Sequence, residues 1–139
     1  MRITALFPAR LDALGPICDL LERFCETGGV GREDCLRLNL LLEELFTNTV
    51  RHGHGKDCDA PVWISLDAAP ERLSFEIEDT APPYNPFAQT VEVDVPLEDR
   101  RIGGLGVHLA RELAERSDYA YVFGRNCIRL ELARNGAAE

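Results

Sequence analysis

The sequence predicts an α+β fold: a two-layer sandwich with helices packed on one face of a mixed, mainly antiparallel sheet. Three observations carry that expectation. Two early segments repeat apolar residues at helical spacing, and two later pairs of short segments include clear apolar–polar alternation. Each pair is joined by a short turn, a connection that suits antiparallel strands. The 139 residues, 45% of them hydrophobic, suit one domain over 1–139 with one core.

Ile3 to Phe7 is a β-prone run closed by Pro8. Asp12 is placed to cap a first helix running to about Thr27, with Leu14, Ile17, Leu20, Leu21 and Phe24 on one face and Gly28-Gly29 ending it. A second helix runs from about Arg32 to His52, carrying Leu38, Leu41, Leu42, Leu45 and Thr49 on one face before Gly53 and Gly55 break it. Val62, Ile64 and Leu66 then alternate with Trp63, Ser65 and Asp67. After a Pro70-Glu71 turn, Leu73, Phe75 and Ile77 alternate with Ser74, Glu76 and Glu78. These two runs predict a hairpin with one buried face. From Asp79 to about Gly106 the chain is acidic and turn-forming, and a loop of that length in so small a domain is usually functional. A third helix is expected from Gly106 to about Arg116. Strands at Tyr119–Phe123 and Ile128–Leu132, joined by a Gly124-Arg125-Asn126 turn, close the chain.

The charge balance, 15 Lys and Arg against 24 Asp and Glu for a net of −9, argues against a nucleic-acid binder, which needs a basic face. No apolar run approaches the ~20 residues that span a bilayer, and the N-terminal residues lack the apolar stretch of a signal peptide. A cytoplasmic location is expected. The five cysteines, at 18, 25, 35, 58 and 127, form no C-x-x-C pair and read as reduced thiols packed as small hydrophobes. His52-Gly53-His54 with Cys58 is the sharpest metal candidate, but no second ligand pair stands at zinc-finger spacing.

Three constellations carry chemistry. Glu44 and Asn48, four residues apart on the second helix, share a face beside the apolar stripe, with Arg51 close by. An amide oxygen suits a hard cation such as Mg²⁺, and a carboxylate can accept a proton; a solvated polar pair is the plainer alternative. Asp79 stands at a strand exit before Thr80-Ala81-Pro82-Pro83-Tyr84, able to accept a hydrogen bond from an amino group or simply to start a turn. Arg101-Ile102-Gly103-Gly104-Leu105-Gly106-Val107-His108-Leu109 brings three glycines to a helix start, where backbone N–H groups can approach a phosphate. It matches neither the P-loop nor the Rossmann fingerprint, and a hinge before an ordinary helix would look the same.

In this order and spacing, the three segments resemble the GHKL, or Bergerat-fold, superfamily of gyrase-type ATPases, Hsp90 chaperones, histidine kinases and MutL. The sequence is most similar to the small bacterial anti-sigma-factor serine/threonine kinases. Glu44 to His52 resembles the N box, Ile77 to Pro86 the first glycine box and Arg101 to Leu109 the second. The resemblance extends from Ile3 to Leu132. It implies ATP and Mg²⁺ as cofactors, Asn48 as the Mg²⁺ ligand and Glu44 as the general base. It also implies Arg51 near the phosphates, Asp79 on the adenine amino group, Gly104 and Gly106 around the phosphates, and an ATP lid at about 87–101.

Two departures from the family pattern stand out. Ala81 occupies a position usually held by glycine, so the backbone near adenine is expected to differ. The closing strand, Cys127 to Leu132, offers no evident equivalent of the threonine that often assists the aspartate. The implied function is phosphorylation of a partner antagonist protein, regulating transcription through a sigma factor. The implied partners are a sigma factor or an anti-anti-sigma antagonist domain, and a homodimer is expected by resemblance alone. The alternative is a non-catalytic docking module of the same fold with weak or no nucleotide binding.

Overall fold

A computed structural model describes residues 1–88 and 113–135. Its described elements are strand β1 (Arg2–Pro8), helix α1 (Leu14–Thr27), helix α2 (Arg32–Asn48), strands β2 (Pro61–Ala68) and β3 (Arg72–Asp79), and strands β4 (Arg116–Val122) and β5 (Arg125–Ala133). The five strands form one sheet in the order β1-β2-β3-β5-β4. Every pairing among these strands is antiparallel, so no parallel pair mixes into the described sheet.

The sequence periodicities set which side chains meet. Ile17, Leu21 and Phe24 from α1 join Leu38, Leu41, Leu42, Leu45 and Phe46 from α2 against the inward residues of the strands. Those inward residues, Val62, Ile64, Leu66, Leu73, Phe75, Ile77, Ile128, Leu130 and Leu132, fall at every second position, as a pleated strand requires. The alternate positions carry charge. Arg129 donates to Glu76 at 2.6 Å and to Glu131 at 3.0 Å, while Arg125 donates to Glu78 and lies over the Trp63 ring at 3.9 Å.

At the end of the sheet where β5 finishes, buried Asp34 ties α2 to the chain beyond that strand. It accepts from Arg37 through Oδ1 and from the Asn135 N–H through Oδ2, each at 2.9 Å. The cysteines behave as small core-lining residues: Cys25 is buried, and Cys35 and Cys58 pack against the core. Burial, followed by the neighbouring Cys35, pushes the Cys25 thiol well above its ordinary range.

Four boundaries differ from expectation. Asp12 lies in a 3₁₀ turn, Leu11–Ala13, and caps nothing; the chain entry is held instead by Asp57, whose Oδ1 accepts the Leu11 N–H at 2.9 Å. Helix α2 stops at Asn48 and continues as a π-helical turn, Thr49–His54, which Gly55 ends in a left-handed conformation (φ 84°). β4 begins at Arg116, so the third helix ends before that residue; most of its expected span lies outside the described residues. The last turn is not Gly124-Arg125-Asn126. Phe123 and Gly124 both take positive φ (51° and 77°), forming the two-residue hairpin turn that matches strand twist. Arg125 and Asn126 therefore belong to β5, which moves Asn126 into the sheet.

Candidate nucleotide site

Glu44 and Asn48 lie one turn apart on α2, followed by the π-helical turn. Asn48 is only 4% exposed, and its side-chain amide makes no hydrogen bond among the described residues. The amide is not among the fully buried atoms without partners, so it keeps contact with solvent and is open to a cation or a hydrogen-bonding ligand. Glu44 is half-buried beside the core. Burial raises its carboxyl pKa, the neighbouring Glu43 raises it further, and Arg51 opposes both. Arg51 itself is exposed.

Folding therefore strengthens proton binding at Glu44, and stability from this group falls as pH rises from the ordinary 4.5 through the raised native value. Below that window both states are protonated and the penalty vanishes. Glu44→Gln should remove this component, so unfolding curves of the two proteins should diverge as pH rises through the window. Parallel curves would contradict the placement of Glu44.

The second part of the site is the exit of β3. Asp79 is 3% exposed. Its Oδ1 accepts the Ala81 N–H at 2.9 Å, an Asx turn that bends the chain out of the sheet. The same oxygen accepts from Asn126 Nδ2 at 3.0 Å, while Oδ2 takes no hydrogen bond among the described residues. Antiparallel register places Asn126 directly opposite Asp79. Asn126 Nδ2 also reaches the carbonyls of Ala81 and Pro82, at 3.0 and 3.1 Å. Its Oδ1 accepts the Tyr84 N–H at 2.9 Å and the Tyr119 hydroxyl. One asparagine thus pins five groups of the Asp79–Tyr84 turn and its surroundings.

Both departures noted in the sequence are accounted for. Ala81 takes no positive φ, so it needs no glycine; it is 2% exposed and packs toward Gly53. The closing strand does supply a polar partner for Asp79, Asn126, one residue before the segment considered. The signal that could have found it is the two-residue Phe123-Gly124 turn, which fixes the register of β5.

The π-helical turn brings α2 to this loop. His52 stacks on Tyr84 with ring centroids 6.2 Å apart, and His54 Nε2 lies 3.9 Å from Asp79 Oδ1. The two imidazoles thus face different partners. Asn48 directly precedes that turn, and His54 at its end lies beside Asp79. Gly104 and Gly106, Arg101, and the expected lid beyond Ala88 lie outside the described residues.

No helix among the described residues is long and apolar enough to cross a membrane. No curated protein matches the chain. Among solved structures, it resembles the RsbU and RsbW domains of Rv1364c from Mycobacterium tuberculosis, at 13% identity and a TM-score of 0.69. All of this chain is covered, and it spans about a third of that one (33%). It also resembles the Acinetobacter baumannii histidine kinase AdeS, at 17% identity and a TM-score of 0.50, over 96% of this chain and 68% of that one. The model of the histidine kinase-like ATPase domain matches residues 7–132. The chain therefore belongs to the histidine kinase-like ATPase domain family, within the GHKL superfamily.

Proposed function

We propose that the protein binds ATP with Mg²⁺ and transfers the γ-phosphoryl group to a serine or threonine hydroxyl of a partner protein, in the manner of an anti-sigma-factor kinase. The observation that carries this reading is a pair of polar groups, on residues 4% and 3% exposed, that make no hydrogen bond among the described residues: the Asn48 side-chain amide and Asp79 Oδ2. A purine nucleotide with a cation at its phosphates supplies what each lacks. Asp79 Oδ2 accepts from the exocyclic amine, and the Asn48 amide oxygen is a suitable hard-cation ligand. When bound, Mg²⁺ neutralises phosphate charge as transfer proceeds.

Glu44, on the same helix face, accepts the proton of the attacking hydroxyl, and its raised pKa brings it closer to the range useful for a general base. Exposed Arg51 approaches the phosphates, and Gly104 and Gly106 offer backbone donors to them. The phosphoryl acceptor is an antagonist domain, and its modification controls a sigma factor. The fold likeness to a chain carrying an RsbW domain is compatible with that branch of the family.

Thermal unfolding with ATP and Mg²⁺ tests the binding half. At 100-fold excess over Kd, a native-state ligand adds about 2.7 kcal/mol, a rise on the order of 10 °C for a chain of this size. Absence of any ATP-dependent rise would remove the kinase reading and leave a docking module.

A further inference from the structure

The π-helical turn delivers a polar group that the roles above leave unused. The His54 side chain is 8% exposed, and its Nε2 is buried without a hydrogen-bond partner among the described residues. Asp79 Oδ1 lies 3.9 Å away, beyond hydrogen-bonding range, and already accepts from Ala81 and Asn126. Of the four buried side-chain atoms without partners among the described residues, two belong to this cluster: His54 Nε2 and the hydroxyl oxygen of Tyr84. The other two are arginine Nε atoms, of Arg37 and Arg134.

An unmade hydrogen bond at a buried imidazole is costly unless a ligand completes it. A π-helical turn is itself an uncommon geometry, concentrated at functional sites. Here it carries His54 to the strand exit where Asp79 ends β3. Asn126 and the Ala81 N–H hold Asp79 Oδ1, so Oδ2 and His54 Nε2 remain as neighbouring unused groups.

We propose that His54 is a base-reading residue: Nε2–H donates to a ring nitrogen of the purine while Asp79 Oδ2 accepts from its exocyclic amine. The inference rests on the nucleotide-site reading above. The chemistry of adenine fits the pair. Its amino group is flanked on the two edges by N1 and N7, both acceptors, so each edge presents a donor beside an acceptor. A carboxylate beside an imidazole N–H is the complementary arrangement. Asp79 alone would recognise the amine; with His54 the site also reads the ring.

The test is equilibrium titration of the full chain and of His54→Phe and His54→Gln with ATP, 1-deaza-ATP and 7-deaza-ATP, all with Mg²⁺. Melting curves without nucleotide establish that each variant is folded, and His54→Gln retains a donor if the larger phenylalanine does not fit. The unmutated protein should bind at least one deaza analogue about three- to tenfold more weakly than ATP, the worth of one neutral hydrogen bond. His54→Phe should bind ATP and that analogue alike, and His54→Gln should regain part of the discrimination. Equal binding of all three nucleotides by the unmutated protein, or discrimination that persists in both variants, would overturn the proposal. Failure of the unmutated protein to bind ATP would instead overturn the nucleotide-site reading, and this inference with it.

Discussion

Asn126→Asp should destabilise the protein by about 3–5 kcal/mol, the range for leaving a buried charge uncompensated. The substitution keeps shape and exchanges an NH₂ donor for a carboxylate oxygen. That oxygen would face Asp79 Oδ1 and the carbonyls of Ala81 and Pro82, all now 3.0–3.1 Å from Nδ2. Four acceptors would meet in a buried space with no proton among them. Denaturant unfolding at neutral pH measures the loss. Acidification should recover part of it, because protonating either carboxylate restores a donor. Asn126→Ala should cost less, about 1–3 kcal/mol, since it strands polar groups without adding charge. A neutral Asn126→Asp would mean that the Asp79 turn is not held through β5.

Glu44→Gln should lower the rate of phosphoryl transfer by about 10²–10⁴-fold while leaving nucleotide affinity near that of the unmutated protein. Asn48→Ala should do the reverse in kind, abolishing the Mg²⁺-dependent part of ATP binding. The contrast follows from their surroundings. Asn48 is almost wholly buried with an amide that makes no hydrogen bond among the described residues, whereas Glu44 is partly exposed on the same face and kept from ready ionisation by burial and Glu43. Single-turnover transfer to a serine-bearing antagonist domain, beside binding measurements on both variants, separates the roles. Equal loss of binding in the two variants would remove the distinction between base and metal ligand.

Much of the fold was legible because period and burial coincide. The alternation of Val62, Ile64 and Leu66 against Leu73, Phe75 and Ile77 specified both the hairpin and its buried face. The stripe through Leu38, Leu41, Leu42 and Leu45 specified the packed face of α2 in the same way. The boundaries were less legible, since they depend on hydrogen bonds between distant segments. Asp12 has the chemistry of a cap, yet the local contact is made by Asp57, 46 positions from Leu11.

The candidate site divides along the same line. Glu44, Asn48 and Asp79 could be singled out from residue type and spacing. Asn126 was missed because its role depends on a register set by the Phe123-Gly124 turn, in which Phe123, a bulky residue, takes positive φ. His54 attracted notice for its spacing to His52 and Cys58, but α-helical periodicity gave no sign that a π-helical turn would carry it to Asp79.

The central claim is that one purine nucleotide occupies the region between the end of α2 and the Asp79 turn. Titration of isotopically labelled protein with ATP and Mg²⁺, followed by amide NMR, tests it most directly. The account predicts saturable shifts at the backbone amides of Ala81 and Tyr84 and at the side-chain amides of Asn48 and Asn126, all with one dissociation constant. Saturable shifts confined to other surfaces, or no shifts at all, would contradict it.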